Sequence, residues 1–169
     1  GLEKVFPIYN GEQEAIAAYK RVVQNYPSSE EATVAVEDLK LIYADNGDLQ
    51  EFASFIKKVP NAPRVDVSDM ERLTFEAAEK AYIANNSNIT KMRSYLAKYP
   101  NGAYAGHASY YIAKSNYNKG NYSEALEAIN EVISQHGDAT FVEDALAIKS
   151  DILRKQGKSK EAYDTYKQL

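Results

Sequence analysis

The residue types that do acid–base or metal chemistry occur in this chain, but their spacing scatters them. The two histidines, His107 and His136, lie far apart, and neither belongs to an HExxH motif or an i, i+4 pair. His136 takes the slot that Tyr26, Val59 and Tyr99 hold elsewhere, which predicts a partly packed structural side chain. His107 opens a helix, where a surface or capping role is expected. Carboxylates pair at Glu30/Glu31, Glu37/Asp38 and Glu143/Asp144. Adjacent helical residues do not converge on one face, and first-turn acids complement the helix dipole. No general acid/base pair follows. Asp45-Asn46-Gly47-Asp48 lacks the alternating ligands and closing Glu of a calcium loop. Glycine-rich phosphate loops are missing, and there is no cysteine to supply a disulfide or a thiolate ligand. The expectation is a chain that is not an enzyme and takes no metal or cofactor. Sequons at Asn85, Asn88 and Asn121 matter only in a eukaryotic secretory protein, which the composition does not favour.

What remains is recognition, and it needs elements that present side chains in a fixed order. A degenerate helix-turn-helix unit recurs as AIAAYKRVVQNYP (Ala15–Pro27), DLQEFASFIKKVP (Asp48–Pro60), NITKMRSYLAKYP (Asn88–Pro100), ALEAINEVISQHG (Ala125–Gly137) and AYDTYKQL (Ala162–Leu169). The starts lie 33, 40, 37 and 37 residues apart. A period of this size predicts stacked helices, each unit burying its apolar face against its neighbours. Ile16, Tyr19, Val22, Val23 and Tyr26 follow one helical face. So do Leu49, Phe52, Phe55, Ile56 and Val59; Ile89, Met92, Tyr95, Leu96 and Tyr99; and Leu126, Ile129, Val132 and Ile133. Tyr19, Tyr95 and Tyr122 are expected to pack between helices.

First helices of each pair are expected near Glu30–Ala44, Asp69–Ala84, Tyr104–Lys119 and Thr140–Gln156. Ser28-x-x-Glu31, Ser68-x-x-Glu71 and Thr140-x-x-Glu143 fit capping boxes, with Asp48 and Asn121 at the starts of second helices. Gly47, Gly120 and Gly157 end first helices, and Asn85–Asn86 stand in for glycine in the third unit. Pro27, Pro60 and Pro100 close second helices, as Gly137 does in the fourth unit. The opening helix is expected over Glu12–Asn25, because Pro7 resists helix propagation. NAPRVDVSD (Asn61–Asp69) reads as a longer surface loop, with a hinge or strand-like docking segment as the alternative.

These residues resemble the tetratricopeptide repeat family, whose unit is an antiparallel helix pair of about 34 residues. The best match is Ala103–Ala139, where Gly120-x-Tyr122-x-x-Ala125-x-x-x-Ile129-x-x-Val132 follows the family pattern. Ala15, Tyr19, Val22 and Pro27 match it again. The chain departs at Ala113, which stands for the family's glycine. It departs also at Ser109 and Asn116, which take positions normally apolar or aromatic and so suggest loose packing or a missing neighbour. The resemblance implies an all-α fold, a right-handed α-solenoid of about nine helices. Its units span approximately 11–28, 29–61, 68–102, 103–138 and 139–169. With no end caps in view, the chain is expected to be a piece of a longer one.

In that architecture first helices line a concave groove. The resemblance implies a partner-binding groove at Thr33, Glu37, Lys40, His107, Tyr110, Lys114, Tyr117, Asn118, Asp144, Asp151, Arg154 and Lys155. Tyr110, Lys114 and Tyr117 share one helix face. The expected ligand is a peptide or partner helix. A net charge of −4 with interleaved signs excludes a nucleic-acid footprint, and no apolar run approaches the roughly 20 residues needed to span a bilayer. The phrases QNYPSSEEA, KYPNGAYAGHASYY and GNYSEALEA are similar to repeats of bacterial envelope proteins, the Tol-Pal accessory protein and the outer-membrane assembly lipoprotein among them. They imply a periplasmic or outer-membrane-associated scaffold, with the cytoplasm as the other compartment. The competing readings are a solute- or glycan-binding helical-repeat module and a self-assembly element joined through end repeats.

Overall fold

The computed structural model describes residues 2–66, 68–135 and 139–169. Among them every regular element is helical, as the repeat predicts: α1 (Leu2–Asn25), α2 (Glu30–Asn46), α3 (Leu49–Lys58), α4 (Met70–Ala84), α5 (Thr90–Lys98), α6 (Ala105–Asn118), α7 (Tyr122–Gln135), α8 (Ala139–Lys155) and α9 (Ser159–Tyr166). Contacts divide the chain into two compact units, Gly1–Thr74 and Phe75–Leu169.

The stop signals act where expected. Gly47, Gly120 and Gly157 adopt left-handed backbone, with φ of 77°, 80° and 79°, just past α2, α6 and α8. Pro27, Pro60 and Pro100 each stand two residues beyond the ends of α1, α3 and α5.

The start signals differ in register. Ser29 rather than Ser28 caps α2: its Oγ accepts from the Ala32 N–H at 3.0 Å and donates to the Tyr26 carbonyl at 2.7 Å. Ser29 is the residue with extended backbone at the helix entrance, which capping requires. Asp48 occupies the N-cap of α3 but makes no side-chain cap bond. Because α8 begins at Ala139, Thr140 falls inside its first turn, and Glu143 and Asp144 lie further in. Asn85 and Asn86 do not take positive φ; Asn61, after Pro60, does, at 61°. The end of α4 is closed instead by an Asn-centred turn, in which Asn85 Oδ1 accepts from the Ser87 N–H at 3.0 Å. Finally, α1 starts at Leu2 and contains Pro7. Pro7 deprives only the Glu3 carbonyl of its helical partner, a loss confined to the first turn of α1. His136 and Gly137 lie outside the described residues.

In the first unit α1 packs on α2 and α2 on α3. Val23, Val36, Leu39, Tyr43, Leu49 and Phe52 form the core, with Ile16, Tyr19, Val22, Phe55 and Ile56 at its edge. The first apolar stripe stops short of its expected end: Tyr26 is 67% exposed, because α1 has already finished. The link after Pro60 is irregular, as a loop should be, and it is tied down. Val65 packs on the core. The Lys40 ammonium, with a side chain 7% exposed, lies 2.8 Å from Asp69 Oδ1 and also donates to the Asp66 carbonyl. The Asp66 carboxylate accepts from the Ser68 hydroxyl at 2.6 Å and from its N–H at 2.9 Å. Those two bonds, helped by Lys40, hold its pKa below the usual carboxylate range.

In the second unit α5 packs on α6, α6 on α7, α7 on α8, and α8 on α9. One cluster gathers Phe75, Ala78, Met92, Tyr95, Ala108 and Ile112. The other gathers Ala113, Ala125, Ile129, Val132, Phe141 and Ile152. Small residues let paired helices approach. Ala113 and Ala125 are fully buried between α6 and α7, and the Ser150 hydroxyl of α8 donates to the Ala162 carbonyl of α9 at 2.8 Å. Tyr95, fully buried as expected, accepts from the Tyr104 N–H at 3.0 Å. Tyr19 and Tyr122 also pack at core edges.

Candidate functional site

Within the second unit, the first helices of each pair carry a connected band of aromatic rings. Tyr82 of α4 lies 4.6 Å from Tyr111 of α6, centroid to centroid. The Tyr111 hydroxyl donates to Glu79 Oε2 at 2.7 Å. Burial first, and that bond to Glu79 second, push the Tyr111 phenol up to about 12. His107 meets Phe141 of α8 edge-on at 5.0 Å, and Tyr110 meets the same ring at 5.6 Å. Burial and the Asp144 carboxylate raise the Tyr110 phenol above its ordinary value. Lys114 sits over the Tyr110 ring at 5.5 Å.

One turn further along, Tyr117 of α6 donates its hydroxyl to one carboxylate oxygen of Asp151 on α8, and Arg154 binds the other oxygen. The Tyr117 bond is the main reason Asp151 is held below the usual carboxylate range, with Arg154 and Lys155 adding to it. The same bond raises the Tyr117 phenol. Lys155 covers the Tyr117 ring at 5.4 Å and the Tyr122 ring at 5.8 Å.

The structure therefore brings together His107, Tyr110, Lys114, Tyr117, Asp144, Asp151, Arg154 and Lys155. Asn118 is exposed at the end of α6. Thr33 and Glu37 are exposed on α2 of the first unit. Lys40 departs from its expected place on a groove: it is buried, and its ammonium is consumed by Asp69 and the Asp66 carbonyl. An ammonium taken out of water is costly unless paired, so it serves the link and not a ligand. Tyr82, Tyr111, Phe141 and Glu79 belong to the band although sequence spacing did not single them out. Tyr111 adjoins Tyr110, and Tyr82 stands one heptad after Phe75; both are weak signals.

The arrangement presents large rings whose hydroxyls are fixed by carboxylates, with cations laid over the faces. That is the chemistry of an adhesive surface, where rigid aromatics supply contact area at low entropic cost. Among the described residues no group of three or more His, Cys, Asp or Glu is arranged to hold a metal ion, and no helix is long and apolar enough to cross a membrane.

The tetratricopeptide repeat family matches residues 10–29 and 107–139. In these two segments the chain is similar to the tetratricopeptide repeat. The longer match contains α6 and α7, and with them His107, Tyr110, Lys114, Tyr117 and Asn118. The shorter covers the latter part of α1 and the turn that follows. No curated protein matches the chain. Tetratricopeptide repeats are protein-interaction modules and typically lack catalysis; of the helices that carry the aromatic band, α6 lies in the matched segment.

Proposed function

We propose that the chain is a non-enzymatic interaction scaffold whose second unit holds a peptide or partner helix on the face formed by α4, α6 and α8. The observation that carries this reading is the ring band itself. Tyr82, Tyr110, Tyr111 and Tyr117 sit half-buried on consecutive first helices, and two of their hydroxyls are clamped by carboxylates from neighbouring helices. Anchors fixed before a partner arrives lose little entropy on binding. Lys114, Asp144, Arg154 and Lys155 supply mixed charge around them, which suits a polar peptide better than a polyanion. The phrases QNYPSSEEA and GNYSEALEA support a place in a bacterial envelope assembly, periplasmic or attached to the outer membrane.

The test is selection of peptides from a displayed library against the whole chain. Clones that recognise this face should lose about tenfold or more in affinity against the Tyr110→Ala/Tyr117→Ala variant, with helicity unchanged by circular dichroism. If the selected peptides bind that variant as well as the parent chain, the face is not the recognition surface.

A further inference from the structure

A different face of α6 lines an open cavity of about 670 Å³, bordered by α5, α6 and α7 within the second unit. Its floor is Ser109, Ile112 and Asn116, which lie at i, i+3 and i+7 along α6. Leu96 and Pro100 form one wall. The cavity exists because two floor residues are short and polar. Counted back from the glycine that ends each first helix, Ser109 and Asn116 correspond to Val36 and Tyr43 of α2 and to Leu146 and Leu153 of α8. All four of those bulky side chains are buried.

The space is polar where it is deepest. Ser109 is 4% exposed and lines the cavity, so its hydroxyl is open to a hydrogen bond from a ligand there. Asn116, 2% exposed, donates to the Ile112 carbonyl at 3.1 Å and accepts from Asn121 at 3.3 Å, which leaves one N–H unused.

The opposite wall is acidic. Glu124, Glu127 and Glu131 line it from i, i+3 and i+7 of α7. Like charges at such spacing repel one another along the helix face. Arg93 reaches Glu124 at 3.8 Å, and no cation answers Glu127 or Glu131 among the described residues. The helical rise sets the three acids about 4.5 and 6 Å apart along the axis. Ammonium groups separated by three or four methylenes repeat at a similar distance, and the methylenes match the apolar parts of Leu96, Pro100, Ile112 and Ala128.

We propose that this cavity is a binding site for a linear aliphatic polyamine. Its ammonium groups pair with Glu127 and Glu131, an inner N–H reaches the Ser109 hydroxyl, and the alkyl segments lie over Leu96 and Ile112. The site is separate from the ring band, so either assignment stands if the other fails.

Isothermal titration calorimetry of the whole chain with spermidine, putrescine and magnesium chloride tests it, at low and at physiological ionic strength. Spermidine should bind one molecule per chain, about tenfold more tightly than magnesium. Ser109→Leu fills the floor, so it should raise the thermal midpoint while weakening spermidine about tenfold or more. Glu127→Gln/Glu131→Gln should weaken it comparably. The absence of heat at millimolar spermidine would overturn the proposal. So would several weak sites insensitive to Ser109→Leu, or magnesium binding as tightly as the polyamine.

Discussion

Helices α2 and α6 occupy the same place in their repeats, yet they use it in opposite ways. In α2 the positions that face its neighbours carry Val36, Leu39 and Tyr43, all buried, and Lys40 fills the slot that is Ala113 in α6. The first unit is thus packed with bulk, and its buried Lys40 ammonium holds the link at Asp66 and Asp69. In α6 the same positions carry Ser109, Ile112, Ala113 and Asn116. There small residues draw α7 close while a cavity opens beside it. The comparison teaches that one backbone pattern tolerates either a filled or an open interior, and that the choice rests on two or three side-chain volumes.

The contrast can be broken most severely by making α2 resemble α6. Tyr43→Asn removes a ring from the first core and buries a carboxamide there. Urea unfolding should show a loss of about 3–5 kcal/mol, and a loss under 1 kcal/mol would mean that the filled interior is not what stabilises the unit. Next in size is Asp69→Ala, which strands the Lys40 ammonium with only a carbonyl for company. A cost of about 2–3 kcal/mol is expected, whereas Lys40→Met, which removes the buried charge outright, should cost less. If the two variants are equally destabilising, the pair matters by packing and not by charge. The smallest effect belongs to the second unit's clamped hydroxyls. The Tyr111 phenol ionises at about 12 in the folded chain against an ordinary value of 10.0. Its contribution is therefore complete below pH 10 and is lost as pH rises from there through 12. Tyr111→Phe should flatten the alkaline fall in stability between those values, and ultraviolet titration should show a late-ionising phenol fraction in the parent chain that shrinks in the variant.

Much of the fold was legible because its punctuation acts locally. A glycine that must take positive φ, or a proline that cannot donate, ends a helix whatever surrounds it, so Gly47, Gly120, Gly157 and the three prolines marked true boundaries. Cap residues were less legible: Ser28 and Ser29 are chemically alike, and only the backbone decides which one faces the first free N–H. The burial of Lys40 was invisible because its partners lie across the irregular link, where no period applies. The same link obscured the phase of α4, and so Tyr82 and Glu79 were not matched to Tyr111. Tyr110, Lys114 and Tyr117 could be read from helical spacing alone. Ser109 and Asn116 could be read as misfits, and the cavity lies at those two residues.

The hydroxyl of Tyr117 reaches Asp151 across 34 residues, and that of Tyr111 reaches Glu79 across 32. Each span is close to one repeat, so each bond stitches a first helix to its counterpart in the adjoining pair. A visitor that takes a phenol away from its carboxylate loosens a seam between neighbours, while one that leaves the bond intact tightens it. A ligand bound at one hairpin, as proposed, would thereby share its grip with the next, without any hinge being built for the purpose.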